Sequence, residues 1–137
     1  MKIGVVGCAG RMGQMLVREI AATPGCRIAG GTSRPGGAAV GKDIAVMAGL
    51  DPVGVAIIDD PALLFAEADA VIDFTSPEAI ERHATLAAQA QTIHVVGTTG
   101  LNPAQEQALA TAGRHTPVVY APNMSLGVNL LLAPVEQ

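Results

Sequence analysis

The stretch Lys2-Ile3-Gly4-Val5-Val6-Gly7-Cys8-Ala9-Gly10-Arg11-Met12-Gly13 carries a short apolar run into a turn whose glycines, Gly7, Gly10 and Gly13, stand three residues apart. Residues 2–6 read as a buried parallel strand that ends at glycine. From Arg11 the apolar residues Met12, Met15, Leu16 and Ile20 keep helical spacing, and Thr23-Pro24-Gly25 closes the helix. In a strand–turn–helix setting each glycine has a physical task. Gly7 permits the tight turn, Gly10 lets backbone approach a pyrophosphate where a Cβ would intrude, and Gly13 lets the helix pack on the strand. The helix start then offers unpaired N–H groups and about half a positive charge to the phosphates. The turn thus predicts dinucleotide binding. Glycines serving close packing alone are the alternative, because position 9 is Ala and the spacing departs from the commoner G-x-G-x-x-G form.

A chain of 137 residues fits one domain with room for a core. Half the residues are hydrophobic, yet 2% are aromatic and Trp is absent, so Ala, Val, Ile, Leu and Gly do the packing. This composition suits closely layered helices and strands and argues against a nucleic-acid binder that stacks bases on aromatic rings. The net charge of −4, with no basic stripe or tail, argues against a polyanion partner. No run of about 18 apolar residues occurs, so no membrane span is expected. Met1-Lys2-Ile3 enters the first strand without a cleavable leader pattern, which points to the cytoplasm. Cys8 and Cys26 fit no metal-binding spacing, so no metal is expected and both read as structural thiols. Cys8 has a second reading as an oxidisable thiol, because a helix start favours thiolate.

Further along, strands and helices alternate. Strands are expected at residues 27–31, 53–58, 70–74, 93–96 and 117–120, and helices at 61–66, from Pro77 to about Ala90, and from Pro103. Arg34-Pro35-Gly36-Gly37 reads as a turn opening a loose loop to about Pro52. Thr75-Ser76-Pro77-Glu78 resembles a capping box with proline in the first turn, and Asn102-Pro103-Ala104-Gln105 starts a helix in a similar way. Strands this apolar, separated by helices, predict an α/β fold: a Rossmann-type, doubly wound parallel sheet with helices on both faces. Ligands of such sheets bind at the carboxyl ends of the strands.

NAD-binding domains commonly place Asp or Glu about 20 residues past the last glycine, at the end of the second strand, to grip the ribose hydroxyls. Here Ser33 stands there, followed by Arg34. A carboxylate repels a 2′-phosphate; a serine does not, and an arginine attracts it. A charge-assisted hydrogen bond contributes about 1.5–3 kcal/mol. That converts to a preference of about 10- to 150-fold. NADPH is therefore the expected cofactor, with NADH also admissible; a solvated loop arginine is the alternative role for Arg34. Arg11, at the helix start, lends a second positive charge.

Four motifs in order, Val6-Gly7-Cys8-Ala9-Gly10-Arg11-Met12-Gly13, Asp73-Phe74-Thr75-Ser76-Pro77, Gly97-Thr98-Thr99-Gly100 and Asn123-Met124-Ser125-Leu126-Gly127-Val128-Asn129, resemble the 4-hydroxy-tetrahydrodipicolinate reductase family, also called dihydrodipicolinate reductase. The likeness covers the whole chain, but only the family's N-terminal, cofactor-binding domain. It implies an oxidoreductase of lysine and diaminopimelate biosynthesis that transfers hydride from the nicotinamide to a cyclic unsaturated dicarboxylate, as a homotetramer. By position it implies that Gly7, Cys8, Ala9, Gly10, Arg11 and Met12 hold the pyrophosphate and that Ser33 and Arg34 discriminate NADPH from NADH. Gly97, Thr98 and Thr99 would line the nicotinamide side, and Ala121, Pro122, Asn123 and Met124 would form the last cofactor loop. A dinucleotide-binding domain is thus expected at 1–124, and the start of a hinge helix toward a second domain at 125–137.

Two departures stand out. Ser76 occupies a position where family members often have Arg before the proline. The paired-histidine and lysine motif and the Ser-Gly-Thr stretch of the family's second domain are absent, so no catalytic residue is assigned. The apolar run Val128-Asn129-Leu130-Leu131-Leu132-Ala133, interrupted by Pro134, reads as a cut polypeptide. The histidines His83, His94 and His115 have no clustered partners in sequence and read as surface or packing residues, while Asp73 organises its loop and Glu78 a helix cap. The competing functions are a free-standing dinucleotide-binding or redox-sensing module and the cofactor domain of another amino-acid-pathway dehydrogenase.

Overall fold

Lys2–Val6 (β1) is buried along almost its whole length and pairs on both sides with parallel strands. The computed structural model describes residues 1–120, so the expected loop 121–124 and hinge helix 125–137 lie outside the described residues. Beyond β1 the chain runs through helix α1 (Arg11–Ala22), β2 (Arg27–Thr32), the short helix α2 (Ile44–Met47), α3 (Pro61–Glu67) and β3 (Ala70–Asp73). A single 3-10 turn, Pro77–Ala79, then leads into α4 (Ile80–Ala90), followed by β4 (Ile93–Val96), α5 (Pro103–Ala112) and β5 (Val118–Tyr120). The five strands form one wholly parallel sheet in the order β2-β1-β3-β4-β5. This is the Rossmann-like α/β architecture that alternating apolar strands and helices require.

The pleat divides the core between two faces. Ile3, Val5, Ile72 and Val95 pack with Leu16, Val17 and Ile20 of α1 and with Ile44 of α2. Val6 and Val71 face the other way, against Leu64 and Phe65 of α3 and Ala87 of α4. Farther along that second face, Val96 meets Ile80 and Ala84 of α4 and Leu109 of α5. Each fully buried aliphatic side chain contributes about 1.5–3 kcal/mol. Because β1 sits in mid-sheet with chain on both sides, the order of connections reverses between β1 and β3. A crevice for ligands opens at such a reversal, beyond the carboxyl ends of the strands.

Four details differ from the sequence expectations. The buried stripe of α1 is Gly13, Leu16, Val17 and Ile20, whereas Met12 and Met15 are exposed. The helix is turned so that Gly13 lies on the backbone of the preceding turn, which swings both methionines outward. The 34–52 segment is not a loose loop. Asp43 caps α2 by accepting from the N–H groups of Ala45 and Val46, and it also accepts from Val53 and Gly54. Residues 53–58 form no strand, only isolated bridges from Ala56 to Asp43 and from Ile58 to Thr32. The capping box expected at Thr75 is absent, because the Thr75 hydroxyl donates to Asp73 instead, and no side chain caps the Pro77–Ala79 turn. At Asn102 the reciprocal capping box with Gln105 is present, at 2.8 Å in both directions.

The glycine turn and α1 are locked together at Gly13. A Cβ there would run into the Gly7 carbonyl oxygen and lie 2.6 Å from Cys8 Cα, both backbone atoms that cannot swing aside. Alanine normally gains about 1 kcal/mol over glycine inside a helix. Overpacking of this kind costs about 1–3 kcal/mol and sometimes more. Gly13→Ala is therefore expected to destabilise the chain by about 2 kcal/mol in urea unfolding, against the direction of helix propensity. A stabilised variant would contradict the close contact.

Candidate functional site

The carboxyl ends of β1, β2, β3 and β4 each feed a loop into the same edge of the sheet, and the residues singled out in the sequence lie on those loops. Gly7 adopts φ +81°, a left-handed conformation that glycine accepts at no steric cost. The N–H groups of Gly7 and Cys8 both donate to the carbonyl of Thr32 at 3.1 Å, which fastens the turn to the end of β2. Gln14 reaches back from α1 and donates its side-chain amide to the Ala9 carbonyl at 2.8 Å. The turn is thus held from both flanks by hydrogen bonds within the protein.

At the start of α1 the N-cap is Gly10, with no side-chain cap and no acidic residue in the first turn. Helices usually satisfy these N–H groups with a Ser, Thr, Asp or Asn side chain. Here the first N–H groups and the positive end of the helix dipole face outward over the turn. Among the described residues a Cβ at Gly10 would meet only the Gly7 carbonyl, at 3.8 Å, so they leave this space open. Glycine at Gly10 is not needed for packing, in contrast to Gly13. An open, uncapped, glycine-floored helix start fits a phosphate-bearing ligand.

Across from this turn, Ser33 and Arg34 leave β2. The Ser33 N–H donates to Ile58 at 2.9 Å, and the Arg34 carbonyl accepts from Gly37 at 2.9 Å in a tight turn. Both Arg34 and Arg11 are exposed, and among the described residues neither forms an ion pair. On the far side, Gly97 donates to the Asp73 carbonyl at 2.9 Å, joining the ends of β3 and β4. Thr98 is buried and its hydroxyl donates to the Thr75 carbonyl at 2.6 Å, so that proton is committed inside the protein; Thr99 is exposed. Ala121, Pro122, Asn123 and Met124 lie outside the described residues.

Cys8 does not behave as an activated thiol. It is buried beside Gly31 and Ile44, and burial pushes its pKa up to about 11, against only a weaker lowering effect from its own backbone hydrogen bond. Desolvation outweighs proximity to the helix start, so the oxidisable reading is withdrawn and the structural one stands.

The histidines require a larger correction. His83 and His94 do have a common partner: His83 Nδ1 and His94 Nε2 both lie 2.8 Å from the same oxygen, Oδ2, of Asp73. The carboxylate is fully buried, the imidazoles nearly so, and Phe65 lies against both rings at centroid distances of 5.8 and 5.5 Å. An ionised carboxylate only accepts, so both ring nitrogens facing it carry protons. Burial by itself would raise the Asp73 pKa, but hydrogen bonding and attraction from His83 and His94 more than offset it and hold the carboxyl well below the usual range. Sequence offered partial signals for this cluster. His83 shares the buried stripe Ile80, Ala84 and Ala87, and His94 sits in an otherwise apolar strand. Among the described residues, no group of His, Cys, Asp or Glu is arranged to hold a metal ion, and no helix is long and apolar enough to cross a membrane.

A parallel sheet with a glycine turn beneath an uncapped helix start defines a dinucleotide-binding type of α/β domain. Residues 1–124 match the family profile described as dihydrodipicolinate reductase, N-terminus, and the chain belongs to that family. It is 50% identical over all 137 residues to 4-hydroxy-tetrahydrodipicolinate reductase of Rhizobium meliloti, covering 57% of that protein. It is 53% identical over 129 residues (94% of the chain) to the same-named protein of Cereibacter sphaeroides, covering 48% of it. The chain therefore spans about half the length of the curated relatives it matches. Among solved structures it resembles the dipicolinate-bound dihydrodipicolinate reductase of Paenisporosarcina sp. TG-14, with TM-score 0.73 and 21% identity over 96% of this chain and 50% of that one. It also resembles aspartate semialdehyde dehydrogenase with NADP from Candida albicans, with TM-score 0.63 and 17% identity over 99% of this chain and 47% of that one. At these identities the structural likeness speaks to fold alone.

A carboxyl whose folded pKa is depressed stabilises the protein above its unfolded value of about 3.9, and that stability is lost as pH falls below it. Urea unfolding of the chain is expected to show the Asp73 contribution to stability falling as pH drops from about 5 to 2. Asp73→Asn removes the ionised acceptor that both histidines share, so it should cost about 1–3 kcal/mol near neutrality and flatten the acid dependence. An acid slope unchanged in Asp73→Asn would contradict the assignment.

Proposed function

We propose that this chain is the NADPH-binding portion of a 4-hydroxy-tetrahydrodipicolinate reductase, with NADH as the weaker ligand. Residues 1–124 form the dinucleotide-binding unit, and residues 125–137 lead toward a second domain that carries the substrate. When bound, the cofactor supplies hydride for reduction of a cyclic unsaturated dicarboxylate in lysine and diaminopimelate biosynthesis. The full-length protein is taken to act in the cytoplasm as a homotetramer.

One observation carries this reading: the uncapped start of α1, floored by Gly10, stands at the same sheet edge as Arg34, which forms no ion pair among the described residues. The 7–12 backbone would take the pyrophosphate, with Arg11 adding positive charge. Ser33 and Arg34 would receive the 2′-phosphate, since neither repels it and the guanidinium pairs with it. Gly97, Thr98 and Thr99 would face the nicotinamide half, and Ala121 to Met124 would close the site. Thr98 would serve this wall mainly through backbone, because its hydroxyl proton already goes to Thr75.

Titration with NADPH and NADH, followed by nicotinamide fluorescence, tests the reading. NADPH should bind more tightly, and Arg34→Ala should weaken NADPH by about tenfold or more while moving NADH by less than about threefold. Equal affinity for the two cofactors, or an Arg34→Ala variant that binds NADPH as well as the parent, would overturn the preference.

A further inference from the structure

The Asp73 cluster is an unusual thing to bury. A carboxylate and two imidazoles occupy the space between α3, α4 and the β3–β4 pair, where apolar side chains of similar volume would be expected to serve stability equally well. One polar atom of the cluster, His94 Nδ1, is buried with no hydrogen-bond partner among the described residues. The arrangement therefore carries a desolvation cost without full satisfaction, which points to something the cluster holds in place.

What it holds can be followed atom by atom. Oδ2 accepts from both histidines, one donor on α4 and one on β4, and Phe65 flanks both rings. With Oδ2 so fixed, the carboxylate plane is fixed, and Oδ1 is presented to Thr75. Thr75 donates twice to Oδ1, through its N–H at 3.0 Å and its hydroxyl at 2.7 Å. The Thr75 carbonyl in turn accepts the Thr98 hydroxyl at 2.6 Å. A continuous hydrogen-bond chain thus runs from the buried histidines through Asp73 and Thr75 to Thr98, joining the loop after β3 to the loop after β4. Neither histidine reaches the crevice.

We propose that Asp73, oriented by His83 and His94, is a positioning residue: through Thr75 and Thr98 it sets the 97–99 loop as a preformed wall for the nicotinamide half of the cofactor. This rests on the cofactor reading above and assigns to the buried cluster a role in only one half of the ligand. The residues proposed for the adenosine half, the 7–13 turn with Ser33 and Arg34, make no hydrogen bond among the described residues to Asp73, Thr75 or Thr98.

The test compares NADPH with adenosine 2′,5′-bisphosphate, which carries the adenosine half only. Thr75→Val keeps the side-chain shape and removes the hydroxyl link, Thr98→Val removes the next link, and Thr75→Ser restores the first. Each valine variant is expected to weaken NADPH about fivefold, the fold-change of one net hydrogen bond of about 1 kcal/mol. The bisphosphate should bind within about twofold of the parent, and Thr75→Ser should bind NADPH like the parent. Because both links act in one chain, the double variant should be little weaker than either single one; independent effects would multiply to about 25-fold. Multiplicative losses, equal weakening of both ligands, or no loss of NADPH affinity would overturn the proposal. A parent chain that binds neither ligand would overturn the cofactor reading itself. Thermal melting of each variant identifies any that fails to fold, and Thr75→Ser then carries the comparison with the parent.

Discussion

The contact on which the site depends is backbone against backbone, Gly13 of α1 lying on Gly7 and Cys8 of the turn before it. No side chain can enter there, so the helix comes closer to the strand end than any other residue would allow. Two consequences follow from that approach. The start of α1 is carried over the end of β1, at the reversal in strand order where a parallel sheet opens a crevice. The helix also turns so that Gly13 faces inward, which moves Met12 and Met15 to the surface and leaves the first N–H groups uncapped. The glycines divide the work: Gly13 is needed by the fold, whereas a Cβ at Gly10 would meet only the Gly7 carbonyl among the described residues.

The opposite side of the crevice is built on different physics. There the loops after β3 and β4 are tied by polar contacts that converge on one buried carboxylate, rather than by close-packed backbone. A carboxylate in that environment is tolerable only because donors surround it. Loss of any donor leaves a charge without compensation, which costs more than the bond itself contributes. On the proposed reading the two sides would meet different halves of an elongated ligand, and each is tied together by contacts within the protein. Preorganisation of this kind lowers the ordering cost of binding.

Much of this was legible in the sequence, for identifiable reasons. The bounds of β1 and β4 and the capping box at Asn102 depend on residues adjacent in the chain, so local pattern suffices. The order of elements follows from alternating strand and helix signals, and from it comes the parallel sheet. What escaped depends on contacts between distant segments. Asp43 organises the 43–54 region with backbone groups ten and eleven residues away, which no capping motif announces. The 53–58 stretch reads as strand by composition, yet it finds only single bridges. The Asp73 cluster draws on β3, α4 and β4 at once, so none of its members looks unusual in its own segment. Cys8 shows the converse failure, since its neighbours in sequence suggest activation while its neighbours in space bury it. The residues of the glycine turn, Ser33 and Arg34 stand on the loops that sequence indicated, and their spatial convergence on one sheet edge is what the fold adds.

The central claim is that the α1 start and the end of β2 together receive the pyrophosphate and the 2′-phosphate of one cofactor. Backbone amide chemical shifts in ¹⁵N-labelled protein test it most directly, because they report on the backbone N–H groups themselves. Addition of NADPH should move the amides of Gly10, Arg11, Met12 and Gly13 most, together with those of Ser33 and Arg34. Shifts confined to other surfaces, with these amides unmoved at saturating cofactor, would contradict it.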